Sequence, residues 1–182
     1  MFNVIAKSAA LFASLTVLAC TSVDAAEKPA PLNVVTNAFK QGAMIPKAFT
    51  KDGADESPAL AWSAVPKDTK SIAVFVEDPD APSGTWCHWI AFNFSPKTQR
   101  LAQAVPRTAQ LPGGAAQATN DFDNVGYNGP APPKGKLHRY YFHVYALSKT
   151  LSLSTSAKQS DFRKAIAGAI LAEGWILGRY QR

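Results

Sequence analysis

The segment SIAVFVEDPDAPSGTWCHWIAFNF, residues 71–94, has the alternation of apolar positions that is typical of two β-strands joined by a turn. Successive side chains of a strand point to opposite faces, so counting by twos gives the residues that share a face. In an antiparallel hairpin the end of the first strand meets the start of the second, so we expect Asp78 and His88 to be neighbours. The two rows are Ile72, Val74, Val76 and Asp78 in the first strand, and Trp86, His88, Ile90, Phe92 and Phe94 in the second.

The segment YNGPAPPKGKLHRYYFHVYAL, residues 127–147, repeats this feature, because its apolar row also begins with polar side chains. We expect the polar ends of the three rows to converge on a small pocket at the mouth of the core. Prolines in the turns fix the backbone and give this pocket rigid walls. The third row is His138, Tyr140, Phe142, Val144 and Ala146, and the prolines are Pro79, Pro82, Pro130, Pro132 and Pro133.

Such a pocket suits a small anionic ligand, because imidazoles, a phenol and the backbone N–H groups around Gly135 are donors to phosphate or carboxylate oxygens. Asp78 is expected to orient an imidazole and to favour its protonation. Two histidines and a carboxylate are also a known metal-ligand set. The flanking prolines and Tyr140 favour an anion over a metal, so no metal and no cofactor is expected.

Strands dominate the rest of the chain, with candidates at residues 33–39, 71–77, 87–94, 139–147 and 175–180. Residues 106–137 are rich in Gly, Pro, Ala and Asn and predict a long irregular connection. One helix is predicted near the end, with Ser160 as its N-cap and Gly174 as its stop. Its apolar side is Phe162, Ala165, Ile166, Ala169 and Ile170. We therefore expect a mainly β fold, an antiparallel β-sandwich with one or two C-terminal α-helices.

The first 26 residues have the pattern of an export signal, in which Lys7 precedes an apolar run at residues 9–19. That run is too short to span a bilayer as a helix, which needs about 20 residues. Two processing routes are open: cleavage after Ala25 would release a soluble protein, and lipidation of Cys20 in VLAC would anchor it. We expect a periplasmic or secreted protein, lipid-anchored if the second route applies, with residues 27–182 forming a single domain.

Several function classes are disfavoured by the sequence. The formal charge is +6, but lysines and arginines are scattered, so nucleic-acid binding is not expected. Cys87 adjoins His88, yet neighbours on a strand point to opposite faces, so they should not form a catalytic pair. DFDNVG, residues 121–126, opens like a calcium loop without its later ligands. Since GxSxG, HExxH and phosphate-loop motifs are also missing, we expect a protein that is not an enzyme.

The segments DPDAPSGTWCHW and GPAPPKGKLHRYYF resemble the two characteristic segments of the phosphatidylethanolamine-binding protein (PEBP) family, also called Raf kinase inhibitor proteins. IPKAFTKDGADESPALAW (residues 45–62) and NDFDNVGYNGP (residues 120–130) are similar to its bacterial YbhB/YbcL branch, and the resemblance extends over residues 39–180. Two positions depart from the family pattern: Ala131 stands in place of the cysteine of GPCPP, and Ala169 in place of the histidine of Gly-His-Ile.

This resemblance implies an antiparallel β-sandwich with a few helices and a small anion pocket. It implies pocket residues Asp78, His88, Pro133, His138 and Tyr140, with Asp80, Ala131, Trp86 and Tyr180 as lining. The resulting hypothesis is an exported, non-enzymatic protein that binds phosphate or a phospholipid headgroup. The alternative is a protein-interaction or inhibitor module that acts on another exported or host protein through surface loops, and the long connection at 106–137 motivates it.

Overall fold

The computed structural model describes residues 1–2 and 29–182, so Cys20 and nearly all of the predicted export signal lie outside the described residues. The described part contains one α-helix, α1 (Gln159–Ile166), and short 3-10 helices at Lys47–Phe49 and Pro112–Gly114. None of its helices has the length and apolar character needed to cross a membrane. The strands are β1 (Ala30–Pro31), β2 (Asn33–Val35), β3 (Leu60–Ser63), β4 (Ser71–Asp78), β5 (Trp86–Phe94), β6 (Arg100–Leu101), β7 (Ala116–Gln117), β8 (Leu137–Leu147) and β9 (Ile170–Gln181).

The strands form two sheets, which confirms the predicted mainly β fold. The larger sheet has the order β1-β9-β8-β4-β5-β7, and the smaller has the order β2-β3-β6. Neighbouring strands are antiparallel except for the short β1–β9 pair. The central strands β4, β5 and β8 are those that the alternation of side chains predicted, and β4 lies between the other two.

The larger sheet is buried on both faces, against different layers. One face packs on the smaller sheet, so that Val74 and Phe142 share a core with Trp62. The other face packs on α1, where the rings of Phe75 and Phe162 stack with centroids 5.3 Å apart. Burial on both faces explains why residues 72–76 of β4 are all apolar, and not only those at alternate positions.

The row predicted for β8 is confirmed, because Tyr140, Phe142, Val144 and Ala146 all lie in the core between the sheets. The row predicted for β5 was wrong. Its pairing with β4 shifts twice, each time with one extra residue in β5, which is the arrangement of a β-bulge. Trp86 and His88 line the pocket, but Ile90 and Phe92 face α1, and Phe94 returns to the core between the sheets. Counting by twos fails wherever a bulge inserts a residue.

The predicted C-terminal helix is present but shorter. Its N-cap is Lys158 and not Ser160, and the chain leaves it at Gly168, whose φ of 69° is left-handed. Strand β9 begins at Ile170 and pairs with β8 along its whole length. Gly174 is therefore a strand residue and not a helix stop. The helical spacing of apolar residues up to Ile170 was misleading, because long-range pairing with β8 determines the structure there.

The connection at 106–137 contains β7, a 3-10 turn and several buried polar side chains, and it is well packed. Gln117 is fully buried, donates from Nε2 to the carbonyl oxygens of Pro106 (2.8 Å) and Thr108 (2.7 Å), and accepts from Trp89 Nε1 at 2.6 Å. These bonds fix the connection to the core. The short strands β1, β3, β6 and β7 were not predicted from the sequence.

Gly174→Ala tests the position of Gly174 in the sheet. A Cβ there would lie 2.2 Å from the carbonyl oxygen of Leu32, and backbone cannot move aside cheaply. We expect the substitution to lower the free energy of unfolding by about 3 kcal/mol or more, measured by urea denaturation. Gly42→Ala is the control, since only its left-handed φ of 74° opposes a side chain, at a cost of about 1–2 kcal/mol. Equal losses would contradict the close approach of Leu32.

Candidate functional site

A pocket of about 300 Å³ opens where the last residue of β4 and the first residues of β5 and β8 meet. The structure brings three predicted side chains together there, because Asp78, His88 and His138 all line it. Each of them is at most 5% exposed. The remaining lining residues are Ala81, Pro82, Ser83, Trp86, Phe122, Ala131, Pro132 and Pro133.

Asp78 and His138 form a buried pair across β4 and β8. His138 Nδ1 donates to Asp78 Oδ2 at 2.7 Å, and the backbone N–H of Asp80 donates to Asp78 Oδ1 at 2.8 Å. Both carboxylate oxygens therefore have a donor, as a buried carboxylate requires. Because Nδ1 of His138 is engaged, its Nε2 is the ring nitrogen left for a ligand.

His88 is held by the connection between β7 and β8. Its Nδ1 lies 2.7 Å from the carbonyl oxygen of Asn128, which can only accept, so Nδ1 carries the proton. The Asn128 N–H donates back to the His88 carbonyl at 3.0 Å. The rings of Tyr140 and Phe122 lie edge-on to the imidazole, with centroids 5.3 Å and 5.2 Å away. The orientation of the ring is therefore fixed from several sides.

Burial lowers the pKa of His88 from 6.5 to about 4, because desolvation penalises the imidazolium. The hydrogen bond to Asn128 and the negative charge of Asp78 act in the opposite direction but are outweighed. Asp78 therefore favours protonation of His88, as expected, but burial outweighs this effect. In its neutral form the ring presents Nε2 to the pocket as an acceptor.

Three predicted residues lie outside the pocket lining. Tyr140 is fully buried behind His88, and its hydroxyl has no hydrogen-bond partner among the described residues. Burial, with the nearby Asp78, raises its pKa. Asp80 accepts from the Arg139 side chain at 2.7 and 2.9 Å, and this pairing lowers the Asp80 pKa. Tyr180 lines a separate cavity, where its hydroxyl donates to Asp52 at 2.9 Å.

The other predicted lining residues, Trp86, Ala131 and Pro133, do form part of the wall. Sequence reasoning missed Phe122, Ser83 and Ala81. Phe122 follows a turn in which Asn120 Oδ1 accepts its N–H at 2.9 Å, and its ring lies 4.6 Å below Nζ of Lys51. Asn120, two residues before Phe122, indicates such a turn in the sequence. The sequence does not indicate that this turn faces the pocket.

The backbone N–H of Gly135 was expected to face a ligand, and the structure corrects this. It donates to the carbonyl oxygen of Arg182 at 2.9 Å, at the end of the chain. The N–H of Gly135 is therefore not available as a donor to a ligand in the pocket.

The connection is held against the pocket by a polar network centred on Asp55. Its two oxygens accept from Asn128 Nδ2 at 2.9 Å and from the N–H of Gly129 at 2.6 Å. Asn120 Nδ2 donates to Asn128 Oδ1 at 2.9 Å and to the carbonyl of Gly126 at 2.8 Å. Since Asn120 and Asn128 are buried, these bonds are needed to avoid unpaired polar groups.

Cys87 faces away from the pocket, as predicted. It lies fully buried in the core beside α1, where burial raises the pKa of the thiol. Among residues 29–182 no group of three metal-ligating side chains is placed to hold a metal ion.

The fold and the pocket sequence have clear relatives. The family model for "Phosphatidylethanolamine-binding protein" matches residues 35–181. A "UPF0098 protein" of Methanothermobacter thermautotrophicus is 42% identical over 151 residues, covering 83% of this chain and 99% of that protein. The crystal structure of Escherichia coli YbcL, described as a member of the mammalian PEBP family, is similar with a TM-score of 0.79 and 33% identity, over 84% of this chain and 99% of that one.

A PEBP homolog of Chlamydia trachomatis, CT736, is similar with a TM-score of 0.75 and 36% identity, over 84% of this chain and 98% of that one. The family match covers β3 to β9 and every segment that lines the pocket. The chain belongs to the phosphatidylethanolamine-binding protein family, and it is similar to its bacterial members.

Proposed function

We propose that this chain is an exported, non-enzymatic protein whose pocket binds a small ligand with a phosphate group, either free or as a phospholipid headgroup. The observation that carries the proposal is the convergence of His88, His138 and Asp78 on one pocket with apolar walls. Family membership supports a ligand-binding role.

The polar groups of the pocket suit recognition of a phosphate. His138 keeps Nδ1 on Asp78, so its Nε2 is the ring nitrogen that can contact a ligand oxygen. A charge-assisted hydrogen bond contributes about 1.5–3 kcal/mol. Two or three such bonds, less the cost of ordering the ligand, correspond to a Kd of roughly millimolar to micromolar.

The walls allow for more than a bare phosphate. The indole of Trp86 and the ring of Phe122 meet edge-on at 5.4 Å and form an apolar side of the pocket. Pro132 and Pro133 form another side and lose little entropy when a ligand binds. A volume of about 300 Å³ lies at the small end of ligand sites, so a headgroup-sized molecule is the expected occupant.

The chemistry of the lining supports binding over catalysis. The Cys87 thiol is on the far side of the sheet. The Ser83 hydroxyl has no hydrogen bond to a histidine among the described residues, so it is not activated by a neighbouring base. A nucleophile paired with a base, as hydrolases require, is therefore missing from the described pocket.

The alternative, an interaction module acting through the long connection, has less support. Most of residues 115–120 and 126–130 are buried, and the connection supplies Phe122 and Ala131 to the pocket. Its removal would open the core and remove the pocket together, so it is not a separable surface loop.

Mass spectrometry of the protein purified from an exporting host tests the localisation. We expect a mature chain that starts after Ala25 and carries no lipid, because Val23-Asp24-Ala25 resembles the A-x-A-like pattern of a signal peptidase site. A diacylated chain starting at Cys20 would instead establish the lipid anchor. An uncleaved chain starting at Met1 would contradict export.

NMR titration with inorganic phosphate tests the pocket. We expect the ring signals of His88 and His138 to shift at millimolar phosphate, because both rings line the pocket. His143 is the internal control, since it lies on the opposite face of β8 and contacts Glu77 through Nε2 at 3.0 Å. His138→Ala should weaken binding at least tenfold, whereas His143→Ala should change it less than twofold. Unchanged His88 and His138 signals would refute the proposal.

The lowered pKa of His88 also predicts a pH dependence of stability. Below pH 6.5 the unfolded chain binds a proton at His88 that the folded chain excludes until about pH 4, so stability falls as the pH decreases across that range. His88→Gln should remove about 2 kcal/mol of this loss between pH 6.5 and pH 5, measured by urea unfolding. Identical slopes for both proteins would mean that folding does not lower the pKa of His88.

A further inference from the structure

We propose that the part of the larger sheet that α1 leaves uncovered binds one ring of a neutral sugar. The site is a cavity of about 320 Å³ on the opposite face of β8 from the pocket of Asp78 and His138. Both the ligand and the face are distinct from those of the proposed function. The lining residues are Glu77, Pro79, Arg139, Tyr141, His143 and Trp175.

The cavity exists because α1 is too short to cover this face of the sheet. The 8 residues of α1 span about 12 Å, whereas the 11 residues of β8 span about 37 Å. The ring of Phe162 on α1 packs on Tyr145, with centroids 6.2 Å apart, and Tyr145 is buried. Nearer the start of β8, Tyr141 is half-buried and Arg139 is exposed. The outward row of β8 therefore emerges from beneath the helix.

Three rings in contact border the cavity, and we call Tyr141, His143 and Trp175 the aromatic platform. The rings of Tyr141 and His143 stack with centroids 5.8 Å apart and an interplanar angle of 18°. Trp175 pairs with His143 across β8 and β9, and their rings lie 6.1 Å apart. Trp175 is 47% exposed. A single exposed aromatic side chain is common, but three beside a cavity form an apolar surface that a ligand can cover.

The aromatic platform is held in place before any ligand arrives. His143 Nε2 donates to Glu77 Oε1 at 3.0 Å, and Arg163 on α1 donates to the other oxygen of Glu77. The ring of Tyr145 stacks on the second face of His143, with centroids 5.8 Å apart and an interplanar angle of 8°. A ligand therefore orders few side chains when it binds, which reduces the entropic cost of binding.

Polar side chains with opposite hydrogen-bonding roles lie beside the platform. Arg139 donates to Asp80 from Nε at 2.9 Å and from Nη2 at 2.7 Å, and its Nη1 has no partner among the described residues. Each oxygen of Glu77 has one side-chain partner and retains a lone pair. A hydroxyl group both donates and accepts, so the hydroxyls of one ligand can pair with the carboxylate and with the guanidinium.

The balance of charge favours a neutral ligand. The carboxylates of Glu77 and Asp80 form ion pairs with the guanidinium groups of Arg163 and Arg139, respectively. A cationic ligand would be repelled by Arg139, and an anionic ligand would be repelled by Glu77. A pyranose ring with equatorial hydroxyls meets neither repulsion. Its flat C–H face packs on the indole of Trp175, and the hydroxyls at its edge reach Glu77 and Arg139.

Titration of the full protein with cellotetraose, a soluble chain of four glucose rings, tests this proposal. The chain has four tryptophans, so NMR of the indole N–H groups follows each of them, and Trp175→Phe assigns the signal of Trp175. We expect that signal to shift at millimolar sugar. The signals of Trp86, His88 and His138 should not shift, because these residues line the other pocket. A Trp175 signal that does not respond to cellotetraose would overturn the proposal, whatever phosphate does at the other pocket.

Trp175→Ala and Leu137→Ala form the matched pair of variants. Both side chains are 47% exposed, and Leu137 lies on the same face of β8 as Tyr141 but does not line the cavity. Trp175→Ala should weaken the binding of cellotetraose at least tenfold, and Leu137→Ala less than twofold. Trp175→Phe keeps an aromatic ring and should weaken binding less than about fivefold. Equal losses in the two alanine variants would contradict a site at the aromatic platform.

Three sugars with the same ring test the argument from charge. Glucose is neutral, glucosamine carries an ammonium group and glucuronate carries a carboxylate. We expect glucose to shift the Trp175 signal at a concentration at least threefold lower than either charged sugar. Tighter binding of glucosamine would identify a cation–π site instead, and tighter binding of glucuronate would identify an anion site at Arg139. Either result would overturn the assignment of a neutral sugar.

Sedimentation velocity distinguishes a sugar site from a protein contact. Tryptophan, tyrosine and arginine are also the residues that dominate binding at protein interfaces. We expect the wild-type protein and Trp175→Ala to have the same sedimentation coefficient at every concentration. A dimer that Trp175→Ala dissociates would mean that a second copy of the chain covers the aromatic platform, and the sugar site would then be wrong.

Discussion

The hydrogen bond between Asp78 and His138 is the constraint on which the pocket depends. It joins the end of β4 to the start of β8, and both side chains are almost fully buried. A buried carboxylate without donors would cost several kcal/mol, so the Asp80 N–H and the imidazole must stay in place. The Asp80 bond determines where the chain turns after β4, and the His138 bond determines which ring nitrogen is left for the pocket.

The bulge at the start of β5 gives the pocket its second histidine. Val76 pairs with Trp89 and Glu77 pairs with Cys87, so His88 is the extra residue. Its carbonyl is thereby free to accept the Asn128 N–H, and its ring donates to the Asn128 carbonyl. A regular strand would use the same backbone group for pairing within the sheet. The irregularity is therefore what joins the long connection to the sheet and positions His88.

Much of this arrangement was readable from the sequence, and the failures have physical causes. Alternation predicted β4 and β8 and the polar ends that meet at Asp78 and His138. It failed within β5, because a bulge leaves no mark in a pattern of apolar residues. It failed at Gly174, because helical spacing is local whereas the pairing of β9 with β8 is long-range. The protonation state of His88 depends on burial. The burial of a single side chain cannot be predicted from the alternation of apolar and polar residues.

A second histidine–carboxylate pair on the same two strands shows why residue types alone do not define the site. His143 and Glu77 contact each other at 3.0 Å on the opposite face of the sheet. Burial opposes ionisation of Glu77, but the bonds from His143 and Arg163 outweigh it, so its pKa is lowered. That pair is completed by an arginine and belongs to the packing of α1 on the sheet. Among the described residues no such cation contacts Asp78 or His138, and the second ring nitrogen of His138 remains available in the pocket wall.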